Sequence, residues 1–334
     1  MGLRDDLPDA LSSYATRHRA RVPMAVDAEA RTAEKGRPAE MGRPPQLPEL
    51  VVHTPTTAGG GGRRKARAAA AAAAITGGAV RKSEGENAYV FSLTKGSSEK
   101  AVVALRALVE SLKPTSGPKG QLTSKRWRLH AEQPTWKSDI RWVSAADEAT
   151  FRGLFEPLWH KLGVAEHFRF LGEMVLFSGF FVLRRDTRKS HFHKDFGDTG
   201  NRAFTLMTPL YDMSNLADCH LLCRVAASPH SEAALPDVSE EAAATAEEHW
   251  VTKQYRYKVG EAIVFGDGFE HATQTGVAPQ QLAFLCFTFG DRHCTPEQWS
   301  AAEAYIREQG PVYQDPGGNL VRGGGRGGSG GGAA

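Results

Sequence analysis

The sequence predicts a mainly β fold, a sandwich or barrel with supporting helices, on three observations. Short segments rich in β-forming residues follow one another from residue 174 onward. Turn residues, such as the Gly-Asp-Gly at 266–268, separate these segments at regular intervals. Two stretches with helical periodicity precede them instead of alternating with them, which favours an antiparallel β architecture over βαβ units.

The composition divides the chain into one domain and two tails. Residues 86–317 have ordinary composition and are numerous enough for one domain with a full hydrophobic core. Residues 1–85 contain Pro-rich pieces, a four-Gly run at 59–62 and an Ala run at 68–74, and residues 318–334 are Gly-rich. Such segments bury too little apolar surface to offset the entropy lost on ordering. We therefore expect both tails to be disordered.

Helices are predicted on either side of the β segments. The first runs from Ser98, which can cap it, to Lys113 before Pro114, and the second runs from Ala146 to Leu162. Each carries one apolar stripe at helical spacing, formed by Val102, Leu105, Leu108, Val109 and Leu112 in the first and by Phe151, Leu154, Phe155 and Leu158 in the second. We expect both to pack on one sheet, and residues 296–309 to form a closing helix.

Six strands are predicted between the second and the closing helix. They share β-branched or aromatic residues with flanking turns, and they cover residues 174–183, 203–211, 220–225, 254–258, 262–265 and 282–289. An Ala- and Glu-rich stretch at 226–249 interrupts this rhythm, and we interpret it as an insertion between strands.

The strongest candidate site is the segment Ser190–Phe196, which contains His193 and Asp195 shortly after a predicted strand. In an extended chain, residues i and i+2 point to the same side, so both side chains can reach one ion. A third ligand has to come from elsewhere, and His271 is the best candidate because it follows a strand and a tight glycine turn. Two imidazoles and one carboxylate on one face leave open positions on an octahedral ion, as in non-haem iron sites.

These three residues resemble the His-x-Asp…His pattern of the Fe(II)- and 2-oxoglutarate-dependent dioxygenase superfamily, in a region that extends from the strand before His193 to the strand after His271. The resemblance implies a double-stranded β-helix, the jelly-roll or cupin-like fold. It also implies Fe(II), 2-oxoglutarate as cosubstrate and dioxygen, with release of CO₂ and succinate and attack on an unactivated C–H bond. The expected substrate is a protein side chain or a small metabolite, which the sequence does not identify. No catalytic residue beyond the metal ligands is expected.

One departure from the superfamily pattern concerns the cation that pairs with the distal carboxylate of 2-oxoglutarate. Most members carry an Arg or Lys shortly after the second His, whereas the window Val277–Leu282 contains neither. We consider Arg224 first and Arg202 second as substitutes, although a salt bridge elsewhere is the simpler explanation for each. Gln281 could hydrogen-bond a carboxylate without neutralising it, and Thr205 could contact the cosubstrate from the next strand.

Two alternatives remain open. His191-x-His193 and the Gly-rich run before His271 also resemble the cupin pattern, whose members often bind a metal without 2-oxoglutarate. His191 distinguishes the two, because it would be a ligand in a cupin but not in a dioxygenase. We prefer Asp195 as the carboxylate because the nearby Asp198 falls in a Gly-rich loop. A non-catalytic β-helix domain that only binds a ligand is the third hypothesis.

The bulk composition limits the partners. The formal net charge is +3, and the dense basic run at 63–67 lies in a Gly- and Ala-rich tract, so a nucleic-acid partner is not expected. No apolar run reaches the length of a membrane span, and the start has no hydrophobic signal core. We expect an intracellular, cytoplasmic protein, with organelle targeting by the N-terminal tail left open. The four cysteines lack CxxC spacing and are expected to be reduced thiols. Cys219 and Cys223 are four residues apart in a segment interpreted as a strand, so both are expected on the same face. The oligomeric state is left open.

Overall fold

The computed structural model describes residues 47–52, 80–84, 87–93, 97–112, 125–131, 138–226 and 250–323. Most of the predicted N-terminal tail, the end of the Gly-rich tail and the insertion from residue 227 onward lie outside the described residues. The described helices neither reach the length nor have the hydrophobicity that a membrane crossing requires.

The predicted helices are confirmed within a few residues. The helices are α1 Ser97–Ser111, α2 Glu148–Thr150, α3 Glu156–Lys161, α4 Val164–Phe168 and α5 Pro296–Gln309, with one π-helical turn at Phe151–Phe155 between α2 and α3. The second predicted helix is therefore confirmed, but it contains a π-helical turn in its middle. Thr295 caps α5 in a capping box with Gln298, which explains why this helix begins where it does.

Thirteen strands are found in the described residues. They are β1 Val80–Lys82, β2 Ala88–Ser92, β3 Trp127–Ala131, β4 Ser138–Ala145, β5 Met174–Thr187, β6 Ala203–Pro209, β7 Leu221–Ala226, β8 Trp250–Tyr255, β9 Glu261–Gly266, β10 His271–Thr273, β11 Gly276–Asp291, β12 Val312–Gln314 and β13 Leu320–Arg322. All six predicted strands are present. The edge pair β3 and β4 was not predicted, because its charged and polar residues hide the apolar alternation.

Two antiparallel sheets carry the domain. The large sheet has the order β1-β2-β9-β6-β11-β5-β4-β3, and the small sheet has the order β10-β7-β8. His193 forms an isolated antiparallel bridge with His271 and so adds a further short segment beside β10. From β5 to β11 the chain visits the large and small sheets in the order large, small, large, small, small, large, small, large. This alternation is a double-stranded β-helix, and the predicted fold class is confirmed.

Each face of the large sheet buries a separate apolar cluster. The face toward the small sheet packs residues such as Val182, Ile263 and Phe284 against Cys223 and Val225 of β7. The opposite face packs against α1 and the helices between β4 and β5, as the helical stripes predict. α5 buries Ala302 and Ile306 in a third cluster with Phe177, Phe196 and Ala203. The space between the two sheets is therefore walled by side chains from both.

Two expectations from the sequence are corrected. β1 and β13 lie in stretches that were assigned to disordered tails, so the ordered domain extends beyond residues 86–317. The reason is local pairing, because β1 gains backbone hydrogen bonds from β2 and β13 gains them from β12. Cys219 lies before β7 with a positive φ of 65°, so it does not share a strand face with Cys223. All four cysteines are free thiols, as predicted.

Gly179 of β5 is required by close packing against the helices. A Cβ added there would collide with the Cγ and Cβ atoms of Phe155, at the rigid base of a fully buried ring. We predict that Gly179→Ala lowers the free energy of unfolding by about 1–3 kcal/mol, as expected for overpacking. Gly153 is the matched control, because a Cβ there meets nothing within 4 Å. Gly153→Ala should leave stability unchanged or raise it slightly. Equal urea midpoints for the two variants would contradict the prediction.

Candidate metal centre

The strand pairing next to β10 brings two histidines side by side. The backbone N–H of His193 donates to the carbonyl of His271 at 2.9 Å, and the N–H of His271 donates back to the carbonyl of His193 at 2.9 Å. Directly opposed residues of an antiparallel pair project their side chains to the same face. The two imidazole rings accordingly lie with their centroids 4.5 Å apart.

Asp195 completes the cluster from the same side. It follows His193 by two residues, so its side chain points the same way. Its Oδ1 lies 3.6 Å from His193 Nε2 and 3.5 Å from His271 Nε2. One ligand atom from each of the three residues lies within 4.8 Å of the others. Adjacent ligands of an ion with bonds of about 2.1 Å are about 3 Å apart, so a small contraction suffices to bind one ion.

The hydrogen bonds of the two imidazoles leave the correct nitrogen free for a metal. His193 Nδ1 lies 3.0 Å from the carbonyl of His191, and His271 Nδ1 lies 3.2 Å from the carbonyl of Phe269. A carbonyl oxygen only accepts, so each Nδ1 carries the proton and each Nε2 presents its lone pair toward Asp195. Burial lowers the pKa of His271, which favours the neutral form that binds metals.

Asp195 is buried and held by a neighbouring strand. The hydroxyl of Thr205 on β6 donates to Asp195 Oδ2 at 2.6 Å. Oδ2 is thereby occupied, and Oδ1 faces the two imidazoles. Thr205, which was expected to contact a cosubstrate, contacts a candidate ligand carboxylate in this structure. Such an arrangement fits a carboxylate that binds a metal through one oxygen while a second residue orients it.

The structure does not bring the two arginines considered as substitutes to this cluster. Arg224 pairs with Glu270 at 2.8 Å and stacks on Phe192 at 4.3 Å, on the outer face of the small sheet. Its neighbour Cys223 occupies the inner face instead, since side chains alternate along a strand. Arg202 pairs with the buried Asp291.

Two further residues considered from the sequence lie outside the cluster. Gln281 is exposed, in a part of β11 where the pairing with β5 is irregular. The ring of His191 is parallel to that of His193 at 6.2 Å, but His191 does not belong to the group of three.

Arg184 of β5 is the functional candidate that the sequence reasoning missed. Its side chain lies between the two sheets and is 3% exposed. One terminal nitrogen donates to Thr273 Oγ1 at 3.0 Å, the other donates to the carbonyl of Cys219, and the guanidinium stacks on Phe284 at 4.4 Å. Its Nε has no hydrogen-bond partner, and no carboxylate in the described part of the chain pairs with it. Among the described residues it is therefore a buried cation without a carboxylate partner.

Arg184 and the cluster of three face the same space between the two sheets. Thr273, which accepts from Arg184, lies two residues after His271 on β10, so their side chains project to the same face. Cys286 on β11 lies near both charged groups: burial raises its pKa, Asp195 raises it further and Arg184 lowers it. Arg184 also stands directly across from Leu282, in the window after His271 where the superfamily pattern carries a cation.

A signal for Arg184 was present in the sequence. It ends the apolar run that begins at Met174, and it is in phase with Phe180 and Val182, which face the small sheet. A charged residue in phase with buried neighbours at the end of a strand is a candidate for an inward-facing charge. The sequence could not show that this strand pairs with the window after His271.

Comparison with known proteins finds similarity only at the level of solved structures. No protein-family model matches the chain, and no curated protein matches it. HygX from Streptomyces hygroscopicus, with nickel and 2-oxoglutarate bound, is 16% identical, with a TM-score of 0.39 over 69% of this chain and 92% of that one. The non-heme alpha-ketoglutarate-dependent epimerase SnoN from nogalamycin biosynthesis is 16% identical, with a TM-score of 0.38 over 68% of this chain and 84% of that one.

AviO1 from Streptomyces viridochromogenes Tue57 is a third similar structure, 16% identical, with a TM-score of 0.39 over 61% of this chain and 89% of that one. Sequence identities and TM-scores this low do not support the transfer of a function from these proteins, so the function has to be inferred from the residues of this chain. The strand order and the three converging side chains are features of the chain itself, and they confirm the resemblance seen in the sequence.

Metal binding by the three residues can be tested without activity. We predict that Asp195→Ala and His271→Ala each lower the affinity for Co(II), measured by calorimetry on the metal-free protein. The loss should exceed the roughly 100-fold that removal of a second-layer partner costs, because a direct ligand is lost. His191→Ala is the matched control and should bind Co(II) like the wild type. Loss of binding in His191→Ala with retention in Asp195→Ala would support the cupin-like ligand set instead.

Proposed function

We propose that the protein is an Fe(II)- and 2-oxoglutarate-dependent oxygenase that hydroxylates a protein side chain or a small metabolite. The observation that carries this proposal is the combination of a His-Asp-His cluster with a buried guanidinium that pairs with no carboxylate of the described residues, both facing the space between the two sheets. A metal cluster alone fits many enzymes. The additional buried cation supports an anionic organic cosubstrate bound beside the metal.

The donor set fits ferrous iron. Two neutral imidazoles and one carboxylate on one face are the protein ligands of non-haem Fe(II) oxygenases, and they leave positions open for other molecules. Here His193, Asp195 and His271 would hold the ion, with Nε2, Oδ1 and Nε2 facing it. When bound, iron and 2-oxoglutarate supply the oxidising chemistry, and dioxygen is the third reactant. The chain supplies geometry and a dry environment.

Arg184 is the proposed partner of the distal carboxylate of 2-oxoglutarate. A guanidinium binds carboxylates through parallel N–H donors, and these bonds are strongest away from water. Burial alone disfavours the charged form and lowers the pKa of Arg184. A bound carboxylate would offset that cost, because it would supply the negative charge that the described residues do not place beside Arg184. Arg184 would thus replace the cation that is absent from the window after His271.

The aromatic residues around His271 and Arg184 favour exclusion of water. Phe265 and Phe269 pack against His271, with ring centroids 4.5 Å and 5.8 Å away. Phe284 and Tyr257 cover Arg184, at 4.4 Å and 5.5 Å from its guanidinium carbon. A low-polarity lining strengthens each electrostatic contact inside it and limits side reactions with water. This lining is what a strongly oxidising reaction requires.

The first experiment is an anaerobic titration of the full chain with Fe(II) and then with 2-oxoglutarate. We expect a weak visible charge-transfer band when both are bound, and its decay with release of succinate once oxygen is admitted. Fe(II) binding without a band on adding 2-oxoglutarate would overturn the proposal, in favour of a cupin-like metalloenzyme or a ligand-binding β-helix domain.

The role of Arg184 is tested by its replacement. Arg184→Met should weaken 2-oxoglutarate binding to the metal-loaded protein by about tenfold to a hundredfold, because charge-assisted hydrogen bonds contribute about 1.5–3 kcal/mol. Arg184→Lys keeps the charge but loses the paired donors, so its affinity should fall between those of the wild type and Arg184→Met. Arg224→Met is the matched control and should bind normally. If Arg224→Met weakened binding while Arg184→Met did not, Arg224 would be the partner instead.

A further inference from the structure

A group of hydrogen bonds around Asp267 joins the two segments that carry the candidate ligands. Asp267 lies four residues before His271, and its carboxylate accepts three hydrogen bonds from the loop after Asp195. Its Oδ2 accepts from the backbone N–H groups of Thr199 at 2.7 Å and of Asn201 at 3.0 Å, and its Oδ1 accepts from the hydroxyl of Thr199 at 2.6 Å. We call these three bonds the Asp267 clasp. The clasp binds the loop after one candidate ligand to the turn before another.

The clasp is itself attached to the large sheet. Thr199 is fully buried, and its hydroxyl oxygen also accepts from the two backbone N–H groups at the entry to β6, both at 3.2 Å. Asn87, in the turn before β2, donates from its side chain to the backbone carbonyl of Asp267 at 2.8 Å and to the side-chain oxygen of Asn201 at 2.6 Å. The loop and the turn are therefore held to each other and to β2 and β6.

The segment that carries two of the ligands has little backbone pairing of its own. Within residues 188–202, which are all described, the one residue in a β-bridge is His193, opposite His271. Ordering a connection of this kind costs backbone entropy at every residue, and the two hydrogen bonds of a single bridge offset little of it. Hydrogen bonds to a charged group are roughly twice as strong as neutral ones, so the three bonds to Asp267 are a substantial addition.

The clasp also lies where it can fix the register of the two segments. Because the segments run antiparallel at the bridge, the chain beyond Asp195 runs beside the chain that leads to His271. The carboxylate of Asp267 joins the two chains on this side, at positions where their backbones no longer pair. A slip of either segment would separate the carboxylate from its three donors, so the clasp opposes a slip that would separate the ligands.

We propose that Asp267 is a positioning residue of the metal centre, whose carboxylate holds the segment of His193 and Asp195 beside His271 in the metal-free protein. The inference rests on the proposed function only in that these three residues bind a divalent metal ion. Without the clasp, a share of the molecules would have the two segments out of register, and metal binding would have to realign them. The apparent affinity falls in proportion to the aligned fraction, so alignment of one molecule in ten lowers it about tenfold.

The test compares two aspartates whose carboxylates accept backbone hydrogen bonds in turns or loops. Asp267→Ala removes all three bonds of the clasp. Asp267→Asn keeps one oxygen for the two backbone donors, but its amide nitrogen cannot accept from the Thr199 hydroxyl. Asp315→Ala is the matched control, because Asp315 accepts from the backbone N–H of Asn319 at 2.8 Å in the turn between β12 and β13.

Co(II) is the probe, and two quantities are measured at a temperature at which each variant is folded. The first is the affinity for Co(II), by calorimetry. The second is the rate of amide hydrogen exchange across residues 188–202, with and without Co(II). A loss of global stability alone would not change either quantity in this selective way, because it would act on the whole chain.

We expect Asp267→Ala to lower Co(II) affinity about tenfold. The same variant should speed exchange across residues 188–202 in the metal-free protein, and Co(II) should slow it again. Asp267→Asn should change both quantities in the same direction by less, and Asp315→Ala should match the wild type. Wild-type affinity in Asp267→Ala would overturn the inference. If Asp267→Ala did not fold, wild-type affinity and exchange in Asp267→Asn would overturn it.

An equal loss of Co(II) affinity in Asp315→Ala would also overturn the inference, because it would show a general effect of loosening a loop. If the wild type bound no Co(II), the proposed function would fail instead. The exchange rates of the metal-free proteins would then still decide whether Asp267 holds the two segments together.

Discussion

The candidate site depends on one reciprocal pair of backbone hydrogen bonds, between His193 and His271. That pair fixes the register of the segment after β5 against β10, and a shift of that segment by one residue would turn His193 and Asp195 away from the face of His271. The same register also places the side chain of Asp195 on this face, since Asp195 is two residues from His193. The three side chains thus converge because the backbones are paired. The remaining parts of the site, Arg184 and Thr205, are arranged around this fixed point.

Two opposite charges lie in the same apolar interior without touching. Asp195 and Arg184 are both largely buried, and Cys286 lies near each of them. Directly paired, they would neutralise one another and leave nothing for a ligand. Because they are held apart, each buried group lacks contact with the opposite charge of the other, which lowers the stability of the fold. Such a loss of stability is common at binding sites. This separation favours binding of a cation at the Asp195 carboxylate and of an anionic group at the Arg184 guanidinium.

The sequence could predict the parts of this site that are close in the chain. His193 and Asp195 follow from the alternation of a strand, and His271 follows from the strand and glycine turn before it. The sequence signals that Arg184 faces inward, but not that it lies beside the cluster, because that depends on the register of β5 against β11, which no local pattern encodes. Arg224 illustrates the difficulty: its strand was identified, but Leu221, Cys223 and Val225 all face inward, which turns Arg224 to the outer face.

Among the described residues, the cluster is exposed at His193 and buried at the other two candidate ligands, and this asymmetry orders the proposed reaction. The side chain of His193 is 46% exposed, whereas those of His271 and Asp195 are 6% and 3% exposed. Arg184, which is buried, lies on the His271 side of the cluster, where it donates to Thr273. A cosubstrate bound to Arg184 would therefore lie on the buried side of the cluster, and the substrate would have to approach past His193 and its stacked neighbour His191. Because the two molecules would approach a shared ion from different sides, the cosubstrate need not leave for the substrate to bind. This geometry suits a reaction in which both must be present with dioxygen at once.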